Sequence, residues 1–275
     1  MRPIVLTIAG SDPSGGAGIQ ADLKTVEACG GYGASAITAI TVQNTRGLLR
    51  WQALDADLVR DQLCAVLEDL DVAAVKTGML GSATIVRAVA ETLEIRPGRP
   101  LVVDPVLASS AGVPLADAPT IEELVLRLFP LAALLTPNVA ELRALAGRQV
   151  ADLASAERAA RELLDLGPAA VLVKGGHLAG PAATDLLVWP AGARAFSAPR
   201  LDSPLIHGSG CVCSTAIATG LAHGLPLERA VEAAKLFVTE SIRQGVAPGG
   251  GRGALDPLHI LHGTRAAPAS EARKG

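Results

Sequence analysis

Short runs of apolar and β-branched residues recur along the chain, and segments with helical periodicity separate most of them. The apolar runs lie at residues 4–10, 34–42, 72–78, 100–106, 133–138 and 169–176. Runs of this kind are typical of strands buried on both faces of a parallel sheet. The helical segments include residues 55–70, 82–95 and 138–147. The alternation predicts an α/β fold in which helices cover both faces of a mostly parallel sheet.

The last third of the chain departs from this alternation. Residues 185–201 have the turn residues and hydrophobic pattern of a hairpin, which predicts an antiparallel addition to the sheet. Two more helices are expected at about residues 210–223 and 226–244. The sequence contains no repeat or linker, so we expect a single domain over residues 1–260. The tail, residues 261–275, has little apolar content and is expected to be disordered.

Composition argues against several kinds of partner. The 275 residues are 49% hydrophobic and carry a formal net charge of −3, with no dense block of lysine or arginine. Nucleic acid and anionic membrane surfaces are therefore not expected as main partners. No segment approaches the ~18 consecutive apolar residues of a membrane span. We expect a cytoplasmic protein, because the first apolar run is much too short for a signal peptide. A reducing cytosol would keep the four cysteines as thiols, and their spacing is not that of a metal site.

Polar residues follow most of the predicted strands at the point where each strand ends. In open α/β sheets, ligands bind in the crevice beyond these carboxyl ends. The residues concerned are Gly10, Ser11, Asp12, Gln43, Asn44, Lys76, Thr77, Gly78, Asp104, Asn138 and Lys174. Later in the chain, residues 207–211 ("HGSGC") lead into a predicted helix, as small residues do where backbone N–H groups surround an anion. Together these features predict a phosphate-binding site at one edge of the sheet.

Seven motifs, in order along the chain, carry a resemblance to a known family. They are "AGSDPSGGAGIQADLKT" (9–25), "TVQNTRG" (41–47), "KTGML" (76–80), "VVDPV" (102–106), "TPNVAE" (136–141), "VKGGH" (173–177) and "HGSGC" (207–211). The set resembles the hydroxymethylpyrimidine and hydroxymethylpyrimidine-phosphate kinases of thiamin biosynthesis, a branch of the ribokinase-like superfamily. The resemblance spans about residues 4–260.

The resemblance implies a reaction and its cofactors. An enzyme of this family would use ATP and Mg²⁺ to phosphorylate the hydroxymethyl group of 4-amino-5-hydroxymethyl-2-methylpyrimidine. It would then phosphorylate the resulting monophosphate to the diphosphate. Related enzymes are often homodimers, so we expect a homodimer here.

The resemblance also implies roles for individual residues. At the pyrimidine it places Gly10, Asp22, Gln43 and Met79. The amide of Gln43 offers a donor and an acceptor that suit an aminopyrimidine edge. At ATP it places Asn138 and Lys174. At Mg²⁺ it places Asp104 and Glu141, which would act in part through water.

In the loop at 207–211 the family has cysteine where most ribokinase-like enzymes have an aspartate that takes the proton from the alcohol. Cys211 is therefore expected to be the catalytic residue. Gly208, Ser209 and Gly210 are expected to supply N–H groups to the transferring phosphoryl group. We expect the helix N-terminus to lower the pKa of the Cys211 thiol, whereas Cys213 is expected to be a core residue.

Some positions depart from the family pattern, and other interpretations stay open. Ser209 replaces the commoner threonine, while Leu205, Ile206 and Val212 stand where polar residues are usual, which would weaken nucleotide contacts. Structural roles remain open for Asp22 (solvated helix residue), Gln43 (turn), Asn138 (N-cap), Lys174 (ion pair) and Cys211 (core thiol). The chain could instead be a pyridoxal or pyridoxine kinase, or a non-catalytic pyrimidine-binding module. The intact set of Asp104, Glu141, Lys174 and Cys211 argues against the module.

Overall fold

The computed structural model describes residues 1–109, 111–176, 180 and 182–261. His177 of the "VKGGH" motif and the expected disordered tail from residue 262 onward lie outside this part of the chain. The strands are β1 (Ile4–Ser11), β2 (Tyr32–Asn44), β3 (Gly47–Ala53), β4 (Val72–Thr77), β5 (Leu101–Val103), β6 (Leu134–Leu135), β7 (Val171–Val173), β8 (Ala182–Trp189) and β9 (Gly192–Pro199). The α-helices are α1 (Gly18–Ala28), α2 (Ala56–Asp69), α3 (Ala83–Glu94), α4 (Ala118–Glu123), α5 (Val139–Ala146), α6 (Leu153–Leu164), α7 (Ser209–Ala222) and α8 (Leu227–Arg243). A π-helical turn (Leu124–Leu128) and short 3₁₀ turns (Phe129–Leu131 and His259–Leu261) complete the described elements.

All nine strands form one sheet in the order β3-β2-β1-β4-β5-β6-β7-β8-β9. The pairs from β2 to β7 are parallel, whereas β3, β8 and β9 pair antiparallel to their neighbours. This arrangement confirms the predicted α/β fold, including the late hairpin. Among the described residues, no helix has the length and apolar content needed to cross a membrane.

Strand β3 is the element that the sequence analysis missed. It pairs antiparallel with β2 across a tight turn at residues 44–47 and forms one edge of the sheet. Its residues alternate only partly between apolar and polar, and none of them is fully buried. An edge strand of this kind is specified by its pairing partner more than by its own hydrophobic pattern.

Two apolar cores lie on opposite faces of the sheet, because successive side chains of a strand point to opposite sides. In β5, Val102 packs into the core formed with α7 and α8, and Val103 packs into the core formed with α2, α3 and α6. In β7, Leu172 and Val173 divide in the same way. Each fully buried side chain of this size contributes about 1.5–3 kcal/mol to folding. Helices on both faces therefore fix the central strands whose ends build the site.

The start of α7 differs from the start of most other helices. Side-chain oxygens cap α2, α3, α4, α5 and α6, with Asn138 and Glu141 forming a reciprocal capping box at α5. Helix α7 instead begins after Gly208, whose φ of 86° is left-handed, and no side chain caps it. The N–H of Ser209 donates to the carbonyl of Ile206 over 3.2 Å. The next N–H groups of the first turn have no intrahelical acceptor and are available to a ligand.

Candidate active site

The carboxyl ends of the parallel strands meet the start of α7, as the sequence predicts. Lys174, which follows β7, donates from Nζ to Asp104 Oδ1 after β5 over 2.6 Å. A Cβ atom on Gly210 would lie 3.1 Å from Lys174 Nζ and 3.8 Å from Asp104 Oδ2. The absence of a side chain at Gly210 thus lets the uncapped backbone of α7 lie directly beside this ion pair. The juxtaposition places a lysine next to the N–H groups expected to hold a phosphate.

The conformation of the loop at residues 207–211 requires glycine at one position. Gly208 has a left-handed φ, and it lies so close to the segment after β1 that a Cβ atom would clash with the carbonyl oxygen of Gly16. Only glycine satisfies both constraints. The segment after β1 and the segment before α7 therefore fix each other's position at the edge of the sheet.

Asp104 and Glu141 form the acidic part of the site. Asp104 is buried and also accepts hydrogen bonds from Thr136 Oγ1 (3.1 Å) and Ser214 Oγ (3.2 Å). Glu141 Oε2 accepts the N–H of Asn138 over 2.8 Å. Burial raises the pKa of Glu141 to about 7, while Lys174 acts to lower it and Asp104 to raise it further. A cation beside Glu141 would favour the ionised carboxyl.

These two carboxyls suit Mg²⁺, which prefers oxygen ligands and often takes only one or two carboxylates while keeping water. In the described part of the chain, no group of three or more His, Cys, Asp or Glu side chains is arranged to hold a metal. A metal held here would therefore depend on water and phosphate oxygens for its remaining ligands. The donor set fits a kinase's metal ion, and the metal role of Asp104 and Glu141 stays a prediction.

The alternative structural roles predicted for Asn138 and Lys174, a helix N-cap and an ion pair, are both present in the structure. Asn138 Oδ1 caps α5 by accepting the N–H of Glu141 over 2.9 Å, and Lys174 is in an ion pair. Burial alone would lower the pKa of Lys174, but the carboxylates of Asp104 and Glu141 outweigh it and raise that pKa. Lys174 is therefore a permanent cation, and neither contact conflicts with the predicted contact to ATP.

Cys211 lies in the first turn of α7 and is partly buried. The expectation of a lowered pKa is wrong: burial raises the pKa of this thiol to about 11. Lys76 opposes the rise, Asp22 and Asp104 add to it, and the N–H of Gly18 opposes it. Because burial outweighs the nearby cation and N–H group, Cys211 is a neutral thiol at pH 7. Cys213 is buried in the core, as expected.

Asp22 and Lys76 form a buried ion pair that the sequence analysis did not predict. Lys76 Nζ lies 2.8 Å from Asp22 Oδ2, and both side chains are 0% exposed. Asp22 also accepts from Thr7 Oγ1 (2.5 Å) and Thr215 Oγ1 (2.7 Å), so it is not a solvated helix residue. The only hint in the sequence was the position of Lys76 at the end of a strand. The structure gives Asp22 three partners within the protein, and its contact with the pyrimidine stays a prediction.

The predicted pyrimidine residues lie along one side of this edge. Gly10 and Met79 are neighbours, because a Cβ atom on Gly10 would lie 3.2 Å from Met79 Sδ. Met79 packs with Ala39 of β2, and Gln43 lies four residues further along the same strand, where it lines a cleft. The structure therefore places Gly10 and Met79 together and Gln43 further along the strand that they contact.

Asp12, which the sequence marks only as a residue at a strand end, joins two segments of the site edge. It is buried, and residues 12–17 fold around its carboxylate: Oδ1 accepts Ser14 N–H (2.8 Å) and Oδ2 accepts Ala17 N–H (2.8 Å). Its Oδ2 also lies 3.4 Å from His207 Nε2. Burial would raise the pKa of Asp12, but His207 and Ser14 lower it to about 2. Asp12 therefore connects the segment after β1 to the segment before α7.

A mostly parallel sheet whose strand ends meet the uncapped start of a helix, just after a left-handed glycine, defines a ribokinase-like α/β protein. A solved structure supports this class: an ADP complex of Bacillus subtilis pyridoxal kinase matches with a TM-score of 0.88 and 32% identity, over 96% of this chain and 100% of that one. Residues 12–256 match the family described as phosphomethylpyrimidine kinase, and the chain belongs to that family.

Two curated relatives agree with this assignment. The hydroxymethylpyrimidine/phosphomethylpyrimidine kinase of Streptomyces coelicolor is 47% identical over 92% of this chain and 94% of that protein. A thiamine biosynthesis bifunctional protein of Geobacter sulfurreducens is 46% identical over 94% of this chain. This chain spans only 53% of that longer protein. The family predicted from the seven motifs is thus confirmed.

Proposed function

We propose that this protein is an ATP-dependent kinase that phosphorylates 4-amino-5-hydroxymethyl-2-methylpyrimidine and then its monophosphate, in the formation of thiamin diphosphate. The observation that carries this proposal is the start of α7, where uncapped N–H groups and Cys211 lie beside the Lys174–Asp104 ion pair. Membership of the phosphomethylpyrimidine kinase family supports the choice of substrate.

In this mechanism the chain's main task is to position and neutralise the phosphates. The N–H groups of residues 208–210 and the ammonium of Lys174 would bind the transferring phosphoryl group. Asp104 and Glu141 would hold Mg²⁺, which supplies charge neutralisation to the phosphate oxygens when bound. Gln43, Gly10 and Met79 would hold the ring so that its substituent at C5 points toward Cys211.

Cys211 would serve the two steps differently. The alcohol must lose a proton in the first step, whereas the monophosphate is already largely ionised at neutral pH because its last pKa is about 6. A neutral thiol does not repel that anion, as a fixed carboxylate would. In the first step Cys211 would first lose its own proton to solvent, giving a minor thiolate form that the nearby Lys76 ammonium stabilises. That thiolate would then take the proton of the alcohol and return to the neutral thiol.

A mass-resolved product assay tests the proposal. Protein, ATP and Mg²⁺ are incubated with the pyrimidine alcohol, and the appearance of monophosphate and diphosphate is followed over time. Formation of both products supports the proposal, and absence of ATP turnover with tight pyrimidine binding would support a non-catalytic module. Omission of Mg²⁺ in a matched reaction tests the metal requirement.

Pyridoxal or pyridoxine phosphorylation is the second candidate activity. It is favoured by the structural similarity to the Bacillus pyridoxal kinase, although that enzyme is less identical to this chain than the Streptomyces relative is. The same assay with pyridoxine in place of the pyrimidine compares the two. We expect kcat/KM to be higher for the pyrimidine.

A homodimer is also proposed. On β2 and β3, Ile40, Val42 and Leu49 are exposed apolar side chains at one edge of the sheet, which favours burial against a second copy. Light scattering coupled to gel filtration would give the mass of the particle in solution.

A further inference from the structure

A cleft beside the loop at 207–211 is unusually basic for a protein of net charge −3. Gln43, Arg46, His207 and Arg252 line it, together with small and uncharged residues. Among the residues that the structure describes, no acidic side chain lines this cleft. Asp12 Oδ2 lies 3.4 Å from the ring of His207 but does not itself line the cleft. The cleft is therefore a local region of positive charge that suits an anion.

The basic residues come from three separate parts of the chain. Arg46 belongs to the turn between β2 and β3, His207 precedes α7, and Arg252 belongs to residues 245–254, which we call the strap. The strap follows α8 and pairs with itself through two hydrogen bonds between Val246 and Ala254 (2.8 and 2.9 Å). The N–H of His207 donates to the carbonyl of Gly253 over 3.3 Å, which joins the strap to the 207–211 loop.

Backbone contacts fix the strap against the β2–β3 turn. The N–H of Arg252 donates to the carbonyl of Thr45 over 2.7 Å, and that of Gly251 donates to Thr45 Oγ1 over 3.2 Å. A side chain on Gly251 would clash with the Thr45 carbonyl, so glycine is required for this close approach. A Cβ atom on Gly250 would lie 3.3 Å from Arg46 Nη2, so the Arg46 guanidinium rests on the strap. The fold thus brings two arginines into the lining of the cleft.

The two acceptors of the proposed kinase differ in charge. The alcohol is neutral, whereas the monophosphate adds about −1.5 to −2 charges at pH 7. Guanidinium groups bind phosphate oxygens through paired N–H donors. Gln43, predicted to bind the ring of both acceptors, lines the same cleft.

We propose that Arg46, Arg252 and His207 form a subsite for the phosphate group of the monophosphate acceptor, distinct from the N–H groups of α7 that would hold the phosphates of ATP. This inference rests on the proposed function. Asp12 Oδ2 lies 3.4 Å from the His207 ring. The Arg46 guanidinium lies against the strap, and Arg252 is part of the strap. The subsite raises affinity for the second acceptor and leaves affinity for the first unchanged.

The test compares KM for the alcohol and for the monophosphate in Arg46→Gln, Arg252→Gln and the double variant, at saturating ATP and Mg²⁺. Each single substitution should raise KM for the monophosphate by about tenfold and change KM for the alcohol by less than about twofold. Arg252→Lys should recover part of the loss, because it keeps the charge but not the paired donors. Added NaCl should raise KM for the monophosphate in the wild type and have much less effect in the double variant.

Two controls define the outcome. Arg50→Gln removes an exposed arginine of β3 that does not line the cleft and should change neither KM. Gln43→Leu should raise KM for both acceptors. The subsite would be overturned if the arginine variants changed KM equally for the two acceptors, or left KM for the monophosphate unchanged. Turnover of both acceptors by the wild type would still support the proposed function in that case. A wild type that phosphorylates neither acceptor would overturn both.

Discussion

Replacement of Lys76 by methionine tests the buried ion pair below the predicted catalytic thiol. Methionine has a similar length and no charge, so Lys76→Met leaves the Asp22 carboxylate without its cation in a fully buried position. Removal of one partner from a buried pair costs about 3–5 kcal/mol. Thr7 and Thr215 still donate hydrogen bonds to Asp22, so we expect a loss near the lower end, about 3 kcal/mol.

The same substitution should change the chemistry of Cys211. The Lys76 ammonium acts to lower the pKa of the thiol, so its removal should raise that pKa above about 11. Iodoacetamide reacts with the thiolate, and the alkylation rate of Cys211 at a fixed alkaline pH should therefore fall. Urea unfolding measures the stability, and peptide mass spectrometry after timed alkylation follows Cys211 separately from the other three cysteines.

A second ion pair in the molecule provides the matched control. Lys235 on α8 lies 2.9 Å from Asp185 on β8, and the two side chains are 12% and 9% exposed, against 0% for Lys76 and Asp22. Neither charge is among those that shift the pKa of Cys211. Lys235→Met should destabilise the protein by less and leave the alkylation rate of Cys211 unchanged. The double variant Lys76→Met with Asp22→Asn should recover most of the lost stability. The reasoning about this pair is refuted if the free energy of unfolding of Lys76→Met lies within about 1 kcal/mol of the wild-type value and Cys211 is alkylated at the wild-type rate.

Three further outcomes are expected. Glu141→Gln should increase the Mg²⁺ concentration needed for half-maximal rate and lower kcat, and an unchanged Mg²⁺ titration would remove Glu141 from the metal site. Cys211→Ser should slow phosphorylation of the alcohol far more than phosphorylation of the monophosphate. Cys211→Asp should keep part of the alcohol step and suppress the monophosphate step. Equal losses of the two single-turnover rates in Cys211→Ser would contradict the role of the thiol as a base. The pKa of Asp12 is about 2 in the folded protein, below its ordinary value, so its contacts stabilise the fold above pH 4 and are lost as the pH falls toward 2. The free energy of unfolding of the wild type should therefore rise by about 2 kcal/mol from this group between pH 2 and pH 6, and the rise should be smaller in Asp12→Asn.

Much of the fold could be predicted from the sequence because its signals are local. The apolar runs and helical periods located the parallel strands, and the strand-end rule brought Asp104, Asn138 and Lys174 to one edge. Strand β3 was missed because its order depends on pairing with β2 and none of its residues is fully buried. Periodicity carries no information about such a pairing.

The electrostatic details of the site could not be predicted in this way. The pair of Lys76 and Asp22 joins residues 54 positions apart, and only the packing of α1 against the sheet brings them together. The pKa of Cys211 was predicted with the wrong sign for a similar reason. Its position at a helix N-terminus is visible in the sequence, whereas the depth of its burial depends on β1, β4 and α7 together.

The contacts around Gly208 have a consequence for the synthesis of the protein on the ribosome. The site edge requires Gly16 from the start of the chain, Gly208 from its last third, and the strap that ends at residue 254. A growing chain emerges N-terminus first, so β1 and the segment after it leave the ribosome long before the residues that hold them in place. The parallel sheet can begin to assemble during translation, but the ligand edge is completed only when nearly all of the described chain has emerged. Assembly of this edge therefore has to wait for residues 245–254, whatever the order in which the strands of the sheet pair.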